Sequence, residues 1–91
     1  MLYEFVPADR PGSATFTISA SDCPQLLCRL LGYVASQGRC VDVIQGVHEG
    51  DKLLVSIVLK SINNHRAELL AERFRMIINV EHVQIAFEAG L

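Results

Sequence analysis

The sequence predicts an α+β domain built in the order strand, helix, strand, strand, helix, strand, and three observations carry that prediction. Thr15 to Ala20 alternates polar and apolar residues with a period of two, placing Phe16, Ile18 and Ala20 on one face of a half-buried strand. Leu26, Leu27, Leu30, Leu31 and Val34 then recur at three- and four-residue spacing, the stripe of an amphipathic helix. The remainder repeats the theme, with two alternating segments around a Glu49-Gly50-Asp51 turn, a second helical stripe and a closing alternation.

Ser21-Asp22-Cys23-Pro24 supplies capping side chains and then a proline, whose fixed φ and missing N–H suit the first turn of a helix. Gly38 can close that helix in a left-handed conformation. Cys40 to His48 sets Val41, Val43 and Val47 against Asp42 and His48, and the Glu-Gly-Asp turn makes a β-hairpin with Lys52 to Lys60. This second arm puts Leu53, Val55, Ile57 and Leu59 on one face but Leu54 and Val58 on the other. One side of a sheet cannot use both sets, so an interface is expected, and with it a homodimer.

Ser61-Ile62-Asn63-Asn64 offers a cap for a second helix, whose inner stripe is Ala67, Leu70, Ala71, Phe74 and Ile77. Asn79 makes a turn, and Val83, Ile85 and Phe87 alternate with His82, Gln84 and Ala86 in the final strand. With right-handed crossovers the four strands form an antiparallel sheet in the order 4-1-3-2, with both helices on one face: the ferredoxin-like βαββαβ sandwich. Residues 1–13 read as an N-terminal extension in which Leu2 to Val6 forms a short extra strand before Pro7 and Pro11, and residues 14–88 form the domain.

Composition narrows the function classes. The chain has 91 residues, 51% of them hydrophobic, which suits one globular domain with its own core. Eight Lys and Arg against ten Asp and Glu give a net charge of −2, with no basic patch to attract nucleic acid or an anionic membrane. No apolar run approaches the roughly 20 residues that span a bilayer, and the start lacks the basic region of a signal peptide, so the cytoplasm is the expected location. Cys23, Cys28 and Cys40 lack C-x-x-C spacing and read as reduced thiols, with Cys28 a small buried hydrophobe among leucines and Cys23 and Cys40 exposed. His48, His65 and His82 fall on separate elements without metal-ligand spacing, and no nucleophile–base motif or phosphate loop is present. No enzyme, metal or cofactor is expected.

The segment from Ser21 to Ile44, with Pro24, Arg29, Gly32 and Gly38 in place, resembles the opening of an ACT domain, and Ile78 to Ile85 is similar to that family's closing strand. More narrowly, the pattern resembles the short small regulatory subunit of acetohydroxyacid (acetolactate) synthase. That resemblance implies a non-catalytic protein that binds a thiamine-diphosphate-dependent catalytic subunit and a branched-chain amino acid, typically valine, between two ACT domains. The contacts it implies are Asp22, Cys23, Pro24, Gln25, Leu26 and Leu27 at the helix start, and Arg39, Cys40 and Val41 from the facing turn. Two residues depart from the pattern. Gln25 stands where the family usually has glycine, which allows an amino-acid carboxylate to approach helix N–H groups, and Cys40 stands in place of a polar asparagine. The alternative reading is a free-standing ferredoxin-like interaction module without a small ligand.

Overall fold

The computed structural model describes residues 12–89. Its elements are β1 (Gly12–Ser21), α1 (Leu26–Ser36), β2 (Val43–Glu49), β3 (Lys52–Ile62), α2 (Asn64–Arg75) and β4 (Val80–Ala89). The strands form one antiparallel sheet in the order β2-β3-β1-β4, so the expected ferredoxin-like topology is the observed one. The extra strand expected at Leu2 to Val6 lies outside the described residues.

The register explains which residues are buried. Phe16, Ile18 and Ala20 of β1 stand opposite Ile57, Val55 and Leu53 of β3 and, on the other side, Ile85, Val83 and Val80 of β4. These residues share the sheet face on which Leu26, Leu30, Val34, Leu70 and Phe74 complete the core. Phe16 and Phe74 meet edge to face with ring centroids 5.3 Å apart, which joins β1 to α2. On the opposite face, Thr15, Thr17 and Ser19 line up with Val58, Ser56 and Leu54, and Leu54 and Val58 pair in turn with Val47 and Val43 of β2. The second apolar set of β3 therefore occupies the helix-free face.

Strand ends differ from the alternation-based expectation, each for an identifiable reason. β1 begins at Gly12 and not Thr15, because pairing with both neighbours orders a Gly-Ser-Ala stretch of low strand propensity. A Cβ on Gly12 would fall 2.1 Å from the Glu88 carbonyl oxygen, so only glycine permits the approach of β4 there. β3 continues through Ser61 and Ile62, expected as part of the helix cap, by way of a bulge at which Ser61 adopts a φ of 57°. The cap of α2 is Asn63, whose Oδ1 accepts from the Arg66 N–H at 2.8 Å. A second irregularity separates the Ser19–His82 and Ala20–Val80 pairs, leaving Glu81 as the extra residue in β4. Gly50, with φ 64°, opens the two-residue β2–β3 turn, and Gly38, with φ 72°, follows the end of α1.

Two expectations about α1 need correction. The buried stripe is the single row Leu26, Leu30 and Val34, whereas Leu27 and Leu31 are 37% and 39% exposed and Cys28 is exposed. For Leu27 and Leu31 the reason lies in the sheet: β2 is an edge strand exposed along its whole length, so the side of α1 toward it finds no cover, whereas Cys28 faces away from the sheet, about half a turn from the buried row. Nor do Ser21 and Asp22 cap the helix. Its N-cap is Gln25, without a side-chain capping bond, and Pro24 sits in the preceding turn, closed by the Leu26 N–H donating to the Cys23 carbonyl at 3.1 Å.

Candidate ligand site

The β1–α1 loop emerges from the centre of the sheet and is held on two sides. The Ser21 N–H donates to the Asn79 carbonyl at 2.9 Å and the Asp22 N–H to the Asp51 carbonyl at 3.0 Å. The loop is thereby tied to the α2–β4 connection and to the β2–β3 turn. Between the loop and the edge strand lies a cavity of about 230 Å³ lined by Asp22, Cys23, Pro24, Leu27, Gly46, His48 and Leu53. Its polar groups are the Asp22 carboxylate, the Cys23 thiol and the His48 imidazole, and the carboxylate accepts a hydrogen bond from His48 Nε2 at 3.0 Å. Leu27 and Leu53 give it an apolar wall. Gly46 leaves space: a Cβ there would approach only the end of Leu53, at 3.9 Å.

Of the nine residues expected at a ligand site, Asp22, Cys23, Pro24 and Leu27 line this cavity. Gln25 is exposed outside it, and Leu26 is buried in the core. Arg39, Cys40 and Val41 lie in the α1–β2 connection, at the other end of the helix. There Arg39 Nη1 donates to the Ser61 carbonyl at 2.8 Å, Cys40 is exposed and Val41 packs against the core. Asp42, next in the chain, anchors that connection by accepting from the Lys60 N–H at 2.7 Å.

Gly46, His48 and Leu53 were not among the expected contacts, yet a signal for them is present. A two-residue turn at Gly50-Asp51 sets Glu49 opposite Lys52 and therefore His48 opposite Leu53. Since Leu53 belongs to the inner face, His48 and Gly46 must share it. Among the described residues no group of three or more His, Cys, Asp or Glu is placed to hold a metal ion.

The family model described as an ACT-like domain matches residues 8–89. The chain belongs to the ACT-like domain family. ACT domains are typically regulatory modules that bind small molecules, amino acids among them, and they often dimerise. Among solved structures, the ACT domain from GTP pyrophosphokinase of Chlorobium tepidum superposes with a TM-score of 0.72 at 13% identity, covering 84% of this chain and 99% of that one. An uncharacterised protein from Thermotoga maritima gives 0.68 at 18% identity, covering 86% and 98%. The C-terminal domain of the MgtC protein from Mycobacterium tuberculosis gives 0.68 at 12% identity, covering 91% and 94%. At these identities the likeness is one of fold. No curated protein matches the sequence. None of the described helices is long and apolar enough to cross a membrane.

Proposed function

We propose that this ACT-like chain is a regulatory, non-catalytic cytoplasmic module that binds a branched-chain amino acid in the cavity between the β1–α1 loop and β2. The observation that carries the reading is the cavity itself. At about 230 Å³ it is smaller than the roughly 300–1,000 Å³ of sites for drug-sized ligands, a scale suited to an amino acid. Leu27 and Leu53 offer an apolar wall for an aliphatic side chain, and the Asp22 carboxylate offers an acceptor for an ammonium group. The Leu27 and Cys28 N–H groups belong to the uncapped first turn of α1, where unpaired donors and the helix dipole favour a carboxylate.

The working form is a homodimer in which the β2 edges pair. An exposed edge strand invites pairing, and Ile44, 38% exposed, joins Leu27 and Leu31 as apolar surface on the helix side of that edge. About a two-fold axis normal to the sheet, two β2 strands run antiparallel, so the start of one lies beside the end of the other. Cys40 and Val41 then approach the partner's Asp22, which reunites the two groups of expected contacts in one site. The resemblance to the acetohydroxyacid synthase small subunit extends this to a catalytic synthase subunit as the regulated partner. Ligand binding shifts that partner only if the amino acid prefers one of two states of the complex.

The alternative is an interaction module without a small ligand. Its supporting observation is the helix-free sheet face, where Val43 and Val47 stand beside Val58 and Leu54. Titration calorimetry with valine, isoleucine and leucine separates the two readings: saturable heat from any of them supports the ligand-binding module, and no heat from all three supports the alternative.

A further inference from the structure

Between α1 and α2 lies a second cavity, of about 490 Å³, lined by Arg29, Gly32, Tyr33, Ser36 and Arg73. It shares no residue with the first. Gly32 and Tyr33 each lie three or four residues from both Arg29 and Ser36, which puts the four on one side of α1, and Arg73 comes from the last turn of α2. Among the described residues the ion pairs are His48–Asp22, Lys52–Glu81 and Arg75–Glu72, so neither Arg29 nor Arg73 has a carboxylate partner. Two guanidinium groups from different helices thus border one cavity with no carboxylate paired to either among the described residues, in a chain whose net charge is −2.

Gly32 is an independent observation about the same place. Glycine inside a helix weakens it relative to alanine, and here neither backbone nor packing demands one: φ is not positive, and a Cβ would meet nothing within 4 Å. What the missing side chain does is keep the space beside Arg29 and Tyr33 open.

We propose that this cavity binds the phosphate group of a small organic phosphate. A guanidinium presents paired N–H donors in a rigid fork, and one fork saturates a carboxylate. Two forks match a dianion with three terminal oxygens. The Tyr33 hydroxyl is a third donor, and its ring offers a surface to the organic portion. Ser36 is not a donor here, because its Oγ–H is given to the Tyr33 carbonyl at 2.7 Å. The volume exceeds the needs of an inorganic ion and lies within the roughly 300–1,000 Å³ of small-molecule sites.

The test is a heteronuclear NMR titration of the full chain with phenyl phosphate and with inorganic phosphate, using sodium chloride at matched ionic strength as the control. The proposal expects saturating shifts at the amides of Gly32, Tyr33, Ser36 and Arg73, with the ester binding more tightly than the free anion. Arg29→Gln and Arg73→Gln should each weaken binding about tenfold, the consequence of losing one charge-assisted hydrogen-bonding group. Gly32→Leu should abolish it while the thermal midpoint stays the same or rises. Shifts that fail to saturate, that sodium chloride reproduces, or that survive both arginine substitutions would overturn the proposal.

Discussion

His48 Nε2 lies 3.0 Å from Asp22 Oδ1, and this contact ties the edge strand β2 to the loop that leads into α1 across the cavity both residues line. Both side chains are at least half exposed, and an exposed pair of this kind is worth about 0–1 kcal/mol. In the proposed amino-acid site its part is to place the Asp22 carboxylate. His48→Ala should therefore leave the denaturation midpoint nearly unchanged while weakening amino-acid binding. A large loss of stability together with unaltered binding would show that the contact is structural.

Leu30 and Leu31 are neighbours in sequence and opposites in energetics. Leu30 is fully buried, so Leu30→Ala should cost about 2–5 kcal/mol through lost transfer energy and an unfilled cavity. For a domain of this size that is a large share of total stability. Leu31, 39% exposed, should lose well under half as much on the same substitution. Urea denaturation of both variants checks the pair, and equal losses would place Leu31 in the core.

Lys52 Nζ lies 2.5 Å from Glu81 Oε2, joining the start of β3 to the extra residue of β4. This hydrogen bond holds the Lys52 ammonium above the usual lysine value and the Glu81 carboxyl below the usual glutamate value. The lowered carboxyl contributes stability above the ordinary glutamate pKa of about 4.3, lost as pH falls through the folded-state value. The raised ammonium contributes below the ordinary lysine pKa of about 10.4, lost as pH rises through the folded-state value. Both contributions are present near neutrality. Glu81→Gln should lower stability near pH 7 slightly and flatten its acid limb below about pH 4.3. Thermal midpoints across that range would contradict this if the two proteins declined in parallel.

The proposed pairing of the β2 edges makes Ile44 a sensitive position. Wild type should sediment as a dimer at tens of micromolar, and Ile44→Lys should shift it toward monomer without unfolding, because charge on an exposed edge strand opposes pairing. A wild-type monomer under those conditions would contradict the proposed assembly.

The fold was legible because its alternations and stripes agree with one another. Leu53, Val55, Ile57 and Leu59 could face only a core, and the Ala67–Leu70–Phe74 row could meet them only from one side. Local pattern could not show where the core stops. Leu27 and Leu31 carry the same apolar signal as Leu30, and their exposure depends on β2 being an uncovered edge, a property of the whole sheet; Cys28 lies about half a turn from the buried row, on the solvent side of the helix. Ser61 and Glu81 escaped the same kind of reading, since a bulge is imposed by the partner strand. At the site, Asp22 was legible as a polar group beside the helix start. Its bond to His48, 26 residues further along the chain, depends on the hairpin register that the Gly50-Asp51 turn sets.

The proposed amino-acid site between the β1–α1 loop and β2 can be probed by titration calorimetry of valine into wild type and into Leu27→Trp. Leu27 is partly exposed and lines the cavity, so tryptophan there should fill the space and leave the core in place. Saturable heat is expected from wild type and none from the folded variant. Absence of heat from wild type with valine, isoleucine and leucine alike, or undiminished binding by Leu27→Trp, would contradict it.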